Sequence, residues 1–206
     1  MRIRAIFAKT EPMRYTSHLD LYRAWERLLR RAAVQLVFSQ GYNPRPKIQL
    51  AAPLPLGITS QAEIIDFWLS DGPGDLDQLR SKLIAAQPPG IEIQSIIPVD
   101  PTDPPHQKKV TAAWYQVTLL DQEPYIEQDI AALLSADQII RERRGKSYDL
   151  RPLIRELHTK SSHPDQLQMM LDASESSTGR PEEVLLALGI QPENTRIQRT
   201  RIISQL

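Results

Sequence analysis

At 206 residues and 41% hydrophobic content the chain suffices for one large or two ordinary packed domains, and its lack of cysteine excludes disulfides, thiolate zinc sites, cysteine nucleophiles and cysteine-ligated iron–sulfur clusters within it. The formal net charge is zero, yet residues 1–60 hold ten basic and three acidic residues, net +7, against net −7 over the remaining 146. Such polarisation points to an anionic partner, nucleic acid first among them.

In chain order, residues 2–9 alternate as a strand, residues 17–33 carry helical periodicity, and residues 35–39 and 47–51 read as short strands around a loop. A strand at 63–69, a helix at 75–86 and a strand at 91–99 complete the first half. Residues 98–111 (PVDPTDPPHQKKVT) hold four prolines and no apolar periodicity, and read as a linker. The second half gives a strand at 114–120, a helix at 125–135, a strand at 138–143, a segment of mixed character at 148–157, a strand at 166–173, a helix at 181–188 and a strand at 196–204. Both halves approximate β-α-β-β-α-β. The expected fold class is therefore α+β, two tandem ferredoxin-like units at 1–97 and 112–206 joined by 98–111. No apolar run approaches the roughly eighteen residues of a membrane span, and Arg2, Arg4 and Lys9 fall where a signal peptide needs its apolar stretch. A cytoplasmic protein without membrane contact is expected.

The densest cluster of chemistry lies between residues 14 and 57. Ser17 stands at an N-cap with Asp20 three residues on, so SHLD starts a helix. Leu21, Trp25, Leu28 and Ala32 form its buried stripe, while Arg23, Arg27, Arg30 and Arg31 make a guanidinium ridge on another face, which Glu26 offsets only at Arg30. Arginines suit bidentate phosphate contacts, although a solvated helix face is the commoner fate of such residues. In GYNPRPK, Pro44 and Pro46 stiffen a loop that presents Tyr42, Asn43, Arg45 and Lys47, the components to stack a base, bond its edge and neutralise a phosphate. The same sequence also suits a proline-rich turn whose tyrosine packs back onto the domain.

His18, at the first position of the helix, is the one candidate general base, with Arg14, Tyr15 and Lys47 as candidate neighbours; hydrogen bonding near the cap or a substrate contact are its other readings. Glu63 and Asp66 point to opposite faces of a strand and balance arginines rather than forming a carboxylate pair. Arg141, Arg143, Arg144 and Lys146 surround Gly145 at an expected hairpin tip, and Arg196, Arg199 and Arg201 belong to the same surface or cover an edge strand. The four histidines have no metal-binding spacing, and the expected cofactor content of this chain is none.

The run SHLDLYRAWERLLRRAAVQLVFSQGYNPRPKIQLAAPLPLGITSQAEIIDFWL resembles the radical SAM-linked protein family, a domain-of-unknown-function family. Its pattern is SHLD, a basic helix, an S-x-G-[FY]-N-P-x-P loop, then P-L-x-x-G and E-x-x-D, and the similarity continues through RGKSYDLRPLI. The family has Pro-His-Pro where this chain has Pro44-Arg45-Pro46. The resemblance implies an accessory module fused to or encoded beside a radical S-adenosylmethionine enzyme and acting on RNA, tRNA or rRNA. Lacking cysteine, this chain would supply no cluster, and the radical SAM protein would be a partner in cis or in trans. A more distant similarity, of architecture, is to CRISPR repeat-processing endoribonucleases, whose glycine-rich C-terminal loop has no counterpart in residues 196–206. The expectation is a non-catalytic RNA-binding accessory module using Arg14, His18, the ridge and the loop. The alternatives are a metal-independent endoribonuclease with His18 as base, and a protein-docking module.

Overall fold

The computed structural model describes residues 1–72, 74–121, 123, 126–143, 145–160 and 163–205. Arg144 and the expected helix start at Tyr125 lie outside them. The fold is α+β, and the chain divides into two compact units, Met1–Lys108 and Lys109–Leu206.

The first unit runs β1 (Arg2–Lys9), α1 (His18–Arg31), β2 (Ile48–Leu50), β3 (Ile58–Trp68), α2 (Leu76–Ala86) and β4 (Ile91–Val99). Its strands lie side by side as β4-β1-β3-β2, all antiparallel. Alternation along β1 sends Ile3, Ala5 and Phe7 to one face, where they meet Leu21, Trp25, Leu28 and Leu29 of α1 and Leu79 and Leu83 of α2 in one core. Phe7 and Trp25 pack edge to face with centroids 4.8 Å apart. The expected strand at 35–39 forms only single bridges, Leu36 to Leu69 and Phe38 to Pro46. Proline lacks the N–H that would continue a ladder there. β3 begins five residues earlier than expected because Ser60 pairs with Lys9, a polar pairing that hydrophobic alternation does not reveal.

The stretch 98–111 is less of a linker than its prolines suggest. Pro98 and Val99 finish β4, and Val110 and Thr111 begin the next strand. Between them the backbone carbonyls of Asp100 and Pro104 accept from the Arg2 guanidinium at 3.2 and 3.4 Å, and Gln49 Nε2 donates to Gln107 Oε1 at 3.1 Å. Residues 100–107 are thus tied to the sheet face opposite the helices. On that face Asp66, 2% exposed, accepts from Arg4 Nε at 2.8 Å and Nη2 at 2.9 Å.

The second unit runs β5 (Val110–Leu119), α3 (Ile126–Ser135), β6 (Ile140–Arg143), β7 (Lys146–Asp149), β8 (Ile154–Lys160), β9 (His163–Asp172), α4 (Pro181–Ala187) and β10 (Thr195–Ser204). β6 and β7 form a separate hairpin, with Gly145 in the left-handed region (φ +73°) before β7. The segment of mixed character at 148–157 resolves into the end of β7, a 3-10 turn at Arg151–Leu153 and the start of β8. The main sheet is ordered β10-β5-β9-β8. With the hairpin set aside, the order of elements and the order of strands match those of the first unit. Ala113, Tyr115 and Val117 of β5 and Leu167, Met169 and Leu171 of β9 are buried in register on one face, and Ile126, Ile130, Pro181, Val184 and Leu185 are the buried residues of α3 and α4.

Candidate nucleic-acid interface

The first turn of α1 is built as its sequence suggests, with one change of partner. Ser17 Oγ accepts from the Asp20 N–H at 3.1 Å and donates back to Asp20 Oδ2 at 2.7 Å, so the carboxylate answers the hydroxyl itself. The Arg23 guanidinium then lies 3.3 Å from Asp20 Oδ1. Leu21, Trp25, Leu28 and Ala32 are all buried, which turns Arg23, Arg27 and Arg30 outward within about 60° of one another at 100° per residue. Arg30 reaches Glu26 at 3.5 Å, whereas Arg27 has no ion pair among the described residues. Exposed i,i+3 and i,i+4 pairs hold their arginines weakly, by a few tenths of a kcal/mol, and leave them able to exchange for a phosphate.

Two expected ridge and patch members face other tasks. Arg31 donates to the carbonyl of Ala86 at the end of α2, tying the two helices together. Arg14, its side chain 11% exposed, donates from Nε to Gly57 O at 2.8 Å, while Gly57 N–H donates to Arg14 O at 3.0 Å. Gly57 sits at φ +79°, a conformation that favours glycine and explains the last position of P-L-x-x-G. Lys9, 1% exposed, adds its ammonium to the carbonyls of Arg14 and Ile58, both at 3.1 Å. The loops before α1 and before β3 are therefore locked together from beneath.

The loop of Tyr42, Asn43, Arg45 and Lys47 is closed at its base. Ser39 N–H donates to Arg45 O at 2.8 Å, Arg45 N–H to Ser39 Oγ at 3.0 Å, and Lys47 N–H to Val37 O at 2.7 Å. Pro46 is buried, and its carbonyl accepts from Tyr22 Oη at 3.2 Å. Tyr42 at the tip is 100% exposed, so the reading in which it packs onto the domain does not hold. Asn43, Arg45 and Lys47 are exposed too, and the Lys47 ammonium stands 4.5 Å over the Trp68 ring.

His18 is exposed on the flank of α1 that also carries Tyr22, four residues on. Burial pushes the Tyr22 hydroxyl above its ordinary range, helped by Glu26 and opposed by Arg45. His18, Tyr22 and the loop thus share one flank, and the centre of the arginine ridge lies about 100–140° round the helix from it. Tyr22 was missing from the sequence expectations; its place one turn after His18 was the available signal.

A family profile described as "Uncharacterized protein conserved in bacteria (DUF2344)" matches residues 2–181. The chain belongs to the DUF2344 family. No curated protein matches it. Among solved structures this DUF2344 chain is similar to an unknown protein from Galdieria sulphuraria, 16% identical over 98% of both chains with a TM-score of 0.29. It is also similar to the acetolactate synthase small subunit from Thermotoga maritima, 12% identical over 99% of this chain and 95% of that one with a TM-score of 0.28. Scores this low carry no argument about fold or function. Among the described residues of the DUF2344 chain, no helix is long and apolar enough to cross a membrane and no group of three His, Asp or Glu could hold a metal ion.

Proposed function

We propose that this chain is an RNA-binding accessory module, two ferredoxin-like units in tandem, that holds tRNA or rRNA for a radical SAM enzyme and is not itself the catalyst. The observation that carries the RNA part is Tyr42. A tyrosine with its whole side chain in water contributes nothing to folding, yet it stands on a loop stiffened by two prolines and bonded across its base. That arrangement suits a stacking platform with its entropy already lost, and Arg45, Lys47 and the α1 ridge supply cations for the adjoining phosphates. The ferredoxin-like reading is supported by the strand order repeated in the two units. The radical SAM partner rests on the sequence resemblance, and a cytoplasmic location goes with it.

Salt dependence tests the reading. Affinity for a labelled tRNA should fall steeply with salt, and Arg23→Ala with Arg27→Ala should reduce the log–log slope by about 1.4–1.8, since each lost phosphate contact is worth about 0.7–0.9. Absent or salt-independent binding overturns it. Failure of the chain to retain the neighbouring radical SAM enzyme in a pull-down overturns the partner alone.

A second reading, metal-independent RNA cleavage with His18 as general base, is favoured by the exposed position of His18 in the first turn beside Tyr22. It requires defined cleavage in EDTA that disappears in His18→Ala.

A further inference from the structure

On the sheet face of the second unit opposite the buried Ala113, Tyr115 and Val117, the register brings together a row of partly exposed residues. Directly opposed residues of antiparallel strands project to the same side. Trp114 on β5 is opposite Met170 on β9, Gln116 is opposite both Gln168 on β9 and Gln198 on β10, and Gln168 is in turn opposite His158 on β8. The Trp114 and His158 rings meet edge to face with centroids 6.2 Å apart, and His158 Nε2 lies 3.3 Å from Gln168 Oε1. Gln116 and Gln198 make no side-chain hydrogen bond among the described residues.

Charge on this face runs against that of its unit. Residues 109–206 carry twelve basic and fourteen acidic residues. On this face, however, Arg196 opposite Thr118 and Arg201 opposite Trp114 are exposed, while of its two acids Asp172 is engaged by Arg155, leaving Glu156. The face therefore pairs a central aromatic and a row of donor–acceptor amides with a cationic margin. Nucleobases offer a π-face to the first, hydrogen-bonding edges to the second and phosphates to the third.

We propose that this sheet face is a second RNA contact, taking unpaired bases by stacking on Trp114 and by hydrogen bonds from Gln116, Gln168 and Gln198. The proposal rests on the RNA-binding reading above and narrows it: the RNA bound has a single-stranded segment. The face sorts RNA by strandedness, because a base inside a duplex cannot lie flat on a sheet.

The test uses the full chain and two fluorescein-labelled probes, oligo(rU)12 and a blunt 12-base-pair RNA duplex, titrated by anisotropy at one salt concentration. Trp114→Ala should weaken oligo(rU)12 binding by about 5- to 140-fold, the usual loss for one stacked base, and leave duplex binding within about twofold. Trp114→Phe, which keeps a stacking ring, should restore most of the loss, and Gln168→Ala should weaken the single-stranded probe alone; these two variants decide the matter if Trp114→Ala fails to fold. Arg23→Ala with Arg27→Ala should weaken both probes. Wild-type affinity for oligo(rU)12 in folded Trp114→Ala or Gln168→Ala, or an equal loss for both probes, overturns this inference and leaves the proposed function standing. A wild-type chain that binds the duplex but not oligo(rU)12 does the same. A wild-type chain that binds neither probe overturns both.

Discussion

In the first unit the sheet face away from the helices is closed from within. Asp66 takes two hydrogen bonds from Arg4, Arg2 reaches the carbonyls of Asp100 and Pro104, and residues 100–107 are held against the strands. In the second unit, with the same strand order, the positions of that face hold Trp114, Gln116, Gln168 and Gln198. One face spends its polar groups on itself; on the other the Gln116 and Gln198 amides make no side-chain hydrogen bond among the described residues. Strand order alone therefore says little about use, and what an outward face does is written in whether its donors and acceptors are already paired.

The largest test of the contrast is Asp66→Ala. It leaves Arg4 buried without its partner and should cost about 3–5 kcal/mol, read as a lower urea midpoint. An unchanged midpoint would remove the ion pair as the feature that closes the first face. Next comes a comparison within the basic segment: Arg14→Ala should lose about 1.5–3 kcal/mol with its bond to Gly57, while Arg27→Ala should stay within about 0.5 kcal/mol. Equal losses would show that Arg14 is no more structural than the ridge.

A smaller effect comes from a half-buried acid of the second unit that lacks the pairing of Asp66. Glu182 Oε2 is buried without a hydrogen-bond partner, and desolvation raises the Glu182 pKa above its ordinary value. Because the folded state holds this proton more tightly than the unfolded one, the cost is absent below the unfolded pKa, appears as pH rises through the folded value and persists at neutrality. Glu182→Gln should raise the thermal midpoint at pH 7 and leave it unchanged near pH 3; a midpoint lowered at pH 7 would contradict this. The smallest change is expected on the second unit's outward face, where Gln116→Ala and Gln198→Ala should each shift stability by less than about 0.5 kcal/mol. A larger loss would mean that these amides support the sheet rather than await a ligand.

Local signals were legible where one short stretch of chain carries them. The Ser17 cap, the stripe of Leu21, Trp25, Leu28 and Ala32, and the opposite faces of Glu63 and Asp66 all follow from helix or strand period. Residues whose role depends on a distant partner were not legible. Arg14 and Arg31 look like Arg23 and Arg27 in sequence, yet Gly57 O and Ala86 O, 43 and 55 residues away, claim them. Trp114 drew no attention because nothing near it in sequence marks the sheet neighbours that surround it.

By itself, then, the sequence determined the kinds and rough places of the elements, the polarised charge and the chemistry available between residues 14 and 57, because helix and strand periodicity and capping act over a few residues. Only the tertiary structure decided which cations are engaged by backbone carbonyls, that Tyr42 stands free, and which residues share a sheet face. Those outcomes turn on strand order and register, and hydrogen-bond partners brought together across tens of residues leave no periodic trace in the chain.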